Sequence, residues 1–207
     1  MVWSIKQAQQ SRYYAQMKIF VSTDSDEYAN IARKYGAEVP VLRPAEISGD
    51  YSTDLEFMSH AVEYFKIQNY HPDMIVQLRP TQPCRKIEDI DKCIQVFSNS
   101  IDNKEEYTSL RTVIELEKSP YKMYRIENDV LEPLFTEVNG ITEPFNIGRQ
   151  MLPQCYLHNG YIDIHLPSII ENGKLSGGKI MPYVMKKDDI IDIDTMEDWY
   201  NAEKANF

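Results

Sequence analysis

Ile75-Val76-Gln77-Leu78-Arg79-Pro80-Thr81-Gln82-Pro83-Cys84-Arg85 is a short apolar run that passes directly into a loop with two prolines and two arginines. Met74 to Leu78 is largely apolar with β-branched members, as a strand buried in a sheet would be. Pro80 and Pro83 lock their own φ and push their predecessors to extended geometry, so the chain leaves the sheet as a stiff, shaped loop. Ile87, Ile90, Ile94 and Phe97 then recur at helical spacing. The unit reads strand, rigid polar loop, helix. In open α/β sheets ligands bind just outside the carboxyl ends of strands, which is where Arg79, Thr81, Gln82 and Arg85 fall. Taken alone, the same residues would serve equally well as the punctuation of a surface turn.

Outward from this unit, strand and helix signals alternate. Val2, Ile5 and Ala8 start a helical pattern at once, with no cap and no preceding strand. Lys18–Ser22 reads as a strand, followed by a helix with Tyr28, Ile31, Ala32 and Tyr35 inward and Gly36 as its C′ glycine. Glu38–Leu42 reads as a second strand, placed at an edge by Pro40. After a loop from Arg43 to Asp54, Thr53 and Glu56 form a capping box, and the helix they open faces Met58, Ala61, Val62 and Phe65 to the core. Beyond the central unit, Thr108–Ile114 is a strand. Residues 115–148 lack periodicity and are too long for a simple loop, so an excursion serving a partner or substrate is expected. Gly160–Ile164, Lys179–Met185 and Ile190–Ile193 are further strands. A short helix spans Ser168–Asn172, and a closing helix is capped by Thr195 and Asp198. This alternation indicates a single α/β domain over residues 1–207 with a mainly parallel sheet.

At 207 residues, 43% hydrophobic and 26% charged, the composition is that of a soluble globular domain. No apolar run approaches the roughly 20 residues that span a bilayer, and the first residues lack a secretion pattern. The three cysteines form neither a disulfide framework nor a zinc pattern, so a cytoplasmic location is expected. A formal net charge of −10 argues against nucleic acid as a partner, while a few converging cations would still take a small anion.

Asp188-Asp189-Ile190-Ile191-Asp192-Ile193-Asp194-Thr195 carries the strongest chemical signal. Asp192 and Asp194 alternate with isoleucines, which projects both carboxylates to one face of an extended segment. Two adjacent carboxylates repel, and Mg²⁺ held by them and by substrate phosphates relieves that. Acids complementing the dipole of the last helix are the other reading. Arg149 has the shape to clamp a carboxylate or phosphate. His158 beside Asn159-Gly160 reads as a turn residue, and nothing pairs with it as a triad requires. No glycine-rich phosphate motif is present.

Five runs, in order and across nearly the whole chain, resemble the acylneuraminate cytidylyltransferase family, which activates sialic and other nonulosonic acids as CMP-sugars. They are Val21–Ser25 (VSTDS), Tyr35–Asp50, Leu78–Arg85 (LRPTQPCR), Arg149–Ile164 (RQMLPQ…NGYIDI) and Ile191–Trp199 (IDIDTMEDW). The resemblance implies a three-layer nucleotide-diphospho-sugar transferase-like α/β fold, a homodimer, Mg²⁺, CTP and a sugar-acid substrate. It implies attack of the sugar's anomeric hydroxyl on the α-phosphate of CTP with loss of pyrophosphate. It places Arg43 and the Ser52–Asp54 loop at the cytosine, and Asp192 and Asp194 at the metal and phosphates. Arg79, Gln82, Lys122, Arg149 and Asn159 fall at the sugar acid or phosphates. It makes residues 115–148 a dimerisation segment.

Departures from the family are informative. The family loop reads Q-P-T-S-P-L-R, whereas here Arg79 replaces the glutamine and Gln82 the serine, which favours an anionic group at Arg79. Leu157 and Asp163 stand where some members carry arginine and tyrosine. Family members open with a strand and a basic glycine loop (R-x-G-S-K-G-like). Here Met1 falls within the helix after that loop, so the expected fold is incomplete at its N-terminus. A non-catalytic relative that binds a nucleotide-sugar or a partner is the competing expectation, and a nucleotidyltransferase for another sugar and base is a third.

Overall fold

In the computed structural model, residues 1–187 and 190–205 are described. Four strands form the central sheet: β1 (Ile75–Gln77), β2 (Ser109–Glu115), β7 (Tyr156–His165) and β8 (Ile180–Met185), in the order β1-β7-β2-β8. β7 runs antiparallel to both β1 and β2, and β8 runs parallel to β2. Three strands therefore share one direction and β7 opposes them, so the sheet is mixed where a mainly parallel one was expected. The reason lies in the excursion. No crossover helix separates β2 from β7. The chain leaves at Glu115, opposite Tyr156, and Leu116 N–H still donates to Cys155 C=O at 2.9 Å. Residues 117–154 are thus a very long hairpin connection, and a hairpin returns antiparallel.

Alternation divides the sheet into two faces. Val76, Ile164 and Leu110 lie in register on one side. They pack with Tyr161 and Ile162 against Ile90, Cys93, Ile94 and Phe97 of α4 (Ile87–Asp102), whose apolar residues keep the spacing read from the sequence. On the other side Ile75 packs toward Met58 and Val62 of α3 (Asp54–Ile67) and Ile170 of α5 (Pro167–Glu171). The result is three layers. Farther along that second face, toward the carboxyl ends of β1 and β2, the row turns polar: Gln77, Asp163 and Arg111 are cross-strand neighbours.

The expected Thr53–Glu56 capping box opens α3. α6 (Met196–Lys204) is opened by the Thr195–Asp198 pair. Gly36, at φ +88°, follows α2 (Asp26–Lys34) as a left-handed stop. Within α2 the buried face is Ala29 and Ala32, whereas Tyr28 is 55% exposed, contrary to expectation. The alanines pack with Ile5, Ala37 and Val39, where small side chains let the backbones approach closely. The two strands expected at Lys18–Ser22 and Glu38–Leu42 are reduced to one parallel bridge, Phe20 to Glu38, held by Val21 N–H to Glu38 C=O and Glu38 N–H to Ile19 C=O. Pro40 has no N–H to extend that ladder. Ile190–Ile193 is likewise not a strand, because its neighbour is the proline loop rather than a sheet edge.

α1 (Val2–Gln10) is held by polar groups as much as by apolar ones. Gln7 Nε2 donates to Pro83 C=O at 2.6 Å and Arg85 C=O at 3.0 Å, and Ser11 Oγ donates to Asp91 at 2.6 Å. The excursion folds as two small hairpins, β3–β4 (Tyr124–Glu127, Val130–Pro133) and β5–β6 (Glu137–Val138, Ile141–Thr142). The first exposes Ile126, Val130 and Leu131. No helix among the described residues is long and apolar enough to cross a membrane.

Candidate active site

The loop after β1 is built around Arg85, which is 4% exposed. Its Nε donates to Tyr161 C=O and its second amino group to Arg79 C=O, while the first lies 3.3 Å from Ser4 Oγ and 3.4 Å from Gln7 Oε1. Burial lowers this guanidinium to about 10, partly offset by Tyr161 and by the Asp192 carboxylate, so it stays charged at neutral pH. Arg85 thus staples α1, the loop and β7 together. Gln82 is 1% exposed and donates to Asn159 C=O at 2.8 Å, and Asn159 Oδ1 accepts from Thr112 Oγ1 at 2.6 Å and Tyr161 N–H at 3.0 Å. Both residues, expected at the sugar or phosphates, shape the loop and the strand beside it, while Gln82 Oε1 is buried without a hydrogen-bond partner among the described residues.

β7 is interrupted by a bulge. The partners of Arg111 and Val113 are Asp163 and His158, and Gly160 sits between them at φ +65°. In an uninterrupted strand residues 158 and 163 would face opposite sides; the bulge turns them to the same side. There His158 Nε2 lies 2.8 Å from Asp163 Oδ1. Gly160 also makes room for Arg79: a Cβ at that position would meet Arg79 Cδ at 3.3 Å.

Arg79 is clamped between two carboxylates. It donates to Asp163 Oδ2 at 2.7 Å and to Asp54 Oδ2, which also accepts from Gln77 Nε2 at 3.2 Å. Burial of the Asp163 carboxyl by itself raises its pKa, but His158 and then Arg79 outweigh that and hold it below the usual carboxylate range. Burial likewise lowers His165, on the same face, keeping it neutral. Arg79, expected to meet an anionic group of the sugar acid or phosphates, has its charge matched by these two acids. Asp54, expected at the nucleotide, is one of the two acids that match it.

The acidic segment comes to the same loop. Ile193 N–H donates to Thr81 C=O at 2.9 Å, which brings Asp192 and Asp194 to the mouth where Arg79 and Arg85 begin and end the loop. Both aspartates are exposed, Ile191 and Ile193 between and before them are half-buried, and neither carboxylate has a hydrogen bond or ion pair among the described residues. Asp188 and Asp189 lie outside the described residues. No cluster of three or more His, Cys, Asp or Glu that could hold a metal alone occurs among the described residues. Two exposed carboxylates fit a Mg²⁺ that takes its remaining oxygens from water and substrate phosphates.

Arg43 lies over the ring of Phe57 on the first turn of α3 and donates to Ser48 Oγ at 3.0 Å; Asp24 is 3.8 Å away. Ser52 Oγ accepts from Gly49 N–H at 3.0 Å, so it fixes the loop before α3. Lys122 donates to Phe145 C=O at 3.3 Å within the excursion, and Arg149 is exposed on a short turn, Arg149–Met151. No hydrogen bond or ion pair among the described residues joins either to Arg79. Sequence reading missed Arg85 as a staple and Asp163, His158 and Arg111 as one cluster. An aspartate between two buried isoleucines was the available signal, since a buried acid requires a partner.

The profile of the cytidylyltransferase family matches residues 1–130. A post-translational flagellin modification protein B of Campylobacter coli is 30% identical over 97% of this chain and 81% of its own length. N-acylneuraminate cytidylyltransferase A of Danio rerio is 27% identical over 98% of this chain, which spans only 43% of that protein. Among solved structures, CMP:2-keto-3-deoxy-manno-octonic acid synthetase complexed with CTP superposes with a TM-score of 0.61 at 11% identity, over 98% of this chain and 85% of the other, which supports the α/β fold. The chain belongs to the cytidylyltransferase family, with distant homology to the N-acylneuraminate cytidylyltransferases.

Proposed function

We propose that this protein activates a sialic-type (nonulosonic) sugar acid with CTP, giving the CMP-sugar and pyrophosphate. The observation that carries the reading is the hydrogen bond from Ile193 to Thr81, which sets two exposed carboxylates, neither hydrogen-bonded among the described residues, against the loop at the carboxyl end of β1. Asp192 and Asp194 would hold Mg²⁺, which when bound neutralises phosphate charge. Arg43, beside the first turn of α3, and the Ser52 loop bind the cytosine. Lys122 and Arg149 orient anionic groups of the substrates. Arg79 with Asp54, and Gln82 with Asn159, hold the walls of the site in place. The anomeric oxygen bonds to the α-phosphorus, the bond to the β-phosphate bridging oxygen breaks, and the hydroxyl proton passes to solvent.

The excursion supports a homodimer, since Ile126 is 76% exposed and pairs across one hairpin with the exposed Leu131, an apolar pair that a second copy would cover. The test is pyrophosphate release from CTP and Mg²⁺ with a panel of nonulosonic acids. Turnover with at least one acid is expected. Tight CTP binding by calorimetry without turnover would instead favour a non-catalytic binding relative, and absence of both would end the reading.

A further inference from the structure

Arg111 differs from the other charges of the polar cluster in making no hydrogen bond among the described residues. It lies on β2 directly across from Asp163, on the sheet face that leads to the loop after β1. Asp163 is fully buried and its two oxygens are already taken, one by Arg79 at 2.7 Å and the other by His158 at 2.8 Å. Arg111 Nε is 3.8 Å from Asp163 Oδ1, an ion-pair distance but too long for a hydrogen bond. That Nε is buried with no hydrogen-bond partner, and the guanidinium makes no hydrogen bond among the described residues, although the side chain as a whole is 26% exposed. The buried Nε is out of a ligand's reach, but the two outer amino groups, on a side chain that is 26% exposed, keep their donors for an occupant.

The occupant's chemistry follows from the local charge. Arg79 and Arg111 counted against Asp54 and Asp163 leave the cluster near neutral, so it suits one singly charged group better than a triphosphate. A single planar carboxylate suits the guanidinium fork, which offers two parallel donors to two oxygens. The charges of the phosphates fall to the other groups at the mouth. We infer that Arg111 receives the carboxylate of the sugar acid, with Arg79 and His158 acting as positioning residues that occupy Asp163 and leave Arg111 unspent. This rests on the proposed function above and assigns to Arg111 the charge recognition that the sequence pattern suggested for Arg79.

The experiment titrates the full chain, with CTP and Mg²⁺ present, with N-acetylneuraminic acid and with 2-keto-3-deoxyoctonate, each as the free acid and as its methyl ester. The ester keeps the sugar and removes the charge. At least one acid should bind the wild-type protein about 10-fold or more tightly than its ester, as expected for a charge-assisted bidentate contact. Arg111→Gln should bind acid and ester alike, and Arg111→Lys should keep part of the difference, while affinity for CTP alone stays within about 2-fold in both. Equal binding of acid and ester by the wild type overturns the inference without any variant being needed. So does an Arg111→Gln protein that still prefers the acid, or one that loses CTP, acid and ester together. CTP turnover accompanied by either result leaves the proposed function standing and removes only Arg111 from it.

Discussion

Replacing Arg85 by methionine removes the staple while keeping the length and apolar stem of the side chain. In the native structure this guanidinium donates to two carbonyls, Tyr161 C=O and Arg79 C=O, with Ser4 and Gln7 as further neighbours. Methionine would leave both carbonyls without that donor, at about 1–3 kcal/mol each. It would also relieve the cost of burying a cation, which is evident in the lowering of Arg85 to about 10. The net loss expected is about 2–4 kcal/mol, a large part of the stability of an ordinary domain. Urea unfolding followed by circular dichroism measures it. The fluorescence of Trp3, on the helix that Gln7 and Arg85 tie down, reports whether α1 detaches first. Arg149→Met, at an exposed position without a hydrogen bond or ion pair among the described residues, serves as control and should stay within about 0.5 kcal/mol of wild type. An Arg85→Met protein as stable as that control would refute the assignment of Arg85 as the staple of the loop.

Asp163→Asn strands Arg79 with one acid and leaves Arg111 facing an amide, so a loss of about 3–5 kcal/mol at neutral pH is expected from urea melts. Because the folded-state carboxyl of Asp163 is held below its usual value, its contribution is present above the ordinary carboxylate range and fades as pH falls through the folded value. The gap between wild type and variant should therefore narrow in melts at about pH 3; a gap that holds constant with pH would count against it. Gly160→Ala places a Cβ at φ +65° and 3.3 Å from Arg79 Cδ, and should cost about 1–2 kcal/mol in the same assay. Asp192→Asn and Asp194→Asn remove exposed carboxylates that make no hydrogen bond among the described residues. Stability should change by no more than about 0.5 kcal/mol, while Mg²⁺-dependent pyrophosphate release falls about 100-fold or more. Unchanged release in both variants would exclude them as the metal site.

Much of this was legible locally. α3 and α6 announce themselves by capping boxes, α4 by its apolar spacing, and α2 by Gly36, because each of these signals is set by residues three or four positions apart. The strand before Arg79 and the acid pair at 192 and 194 were readable for the same reason. The antiparallel course of β7 was not, since strand direction depends on where a long excursion returns. The failed strands at Lys18–Ser22 and Glu38–Leu42 carry β-like patterns, but a strand exists only when a neighbour takes its hydrogen bonds.

By itself, the sequence determined which segments are helical, where the rigid loop lies, that two carboxylates alternate near the C-terminus, and the family to which these runs belong. Only the tertiary structure decided how the charges are shared. Arg79 meets Asp163 across 84 residues and Asp54 across 25. A bulge at Gly160 turns His158 onto Asp163, and Arg111 is left unspent as a consequence. Periodicity and capping are short-range and therefore written along the chain. Which cation is neutralised and which stays available is fixed by distances of a few ångströms between residues far apart in sequence, and those exist only once the sheet has formed.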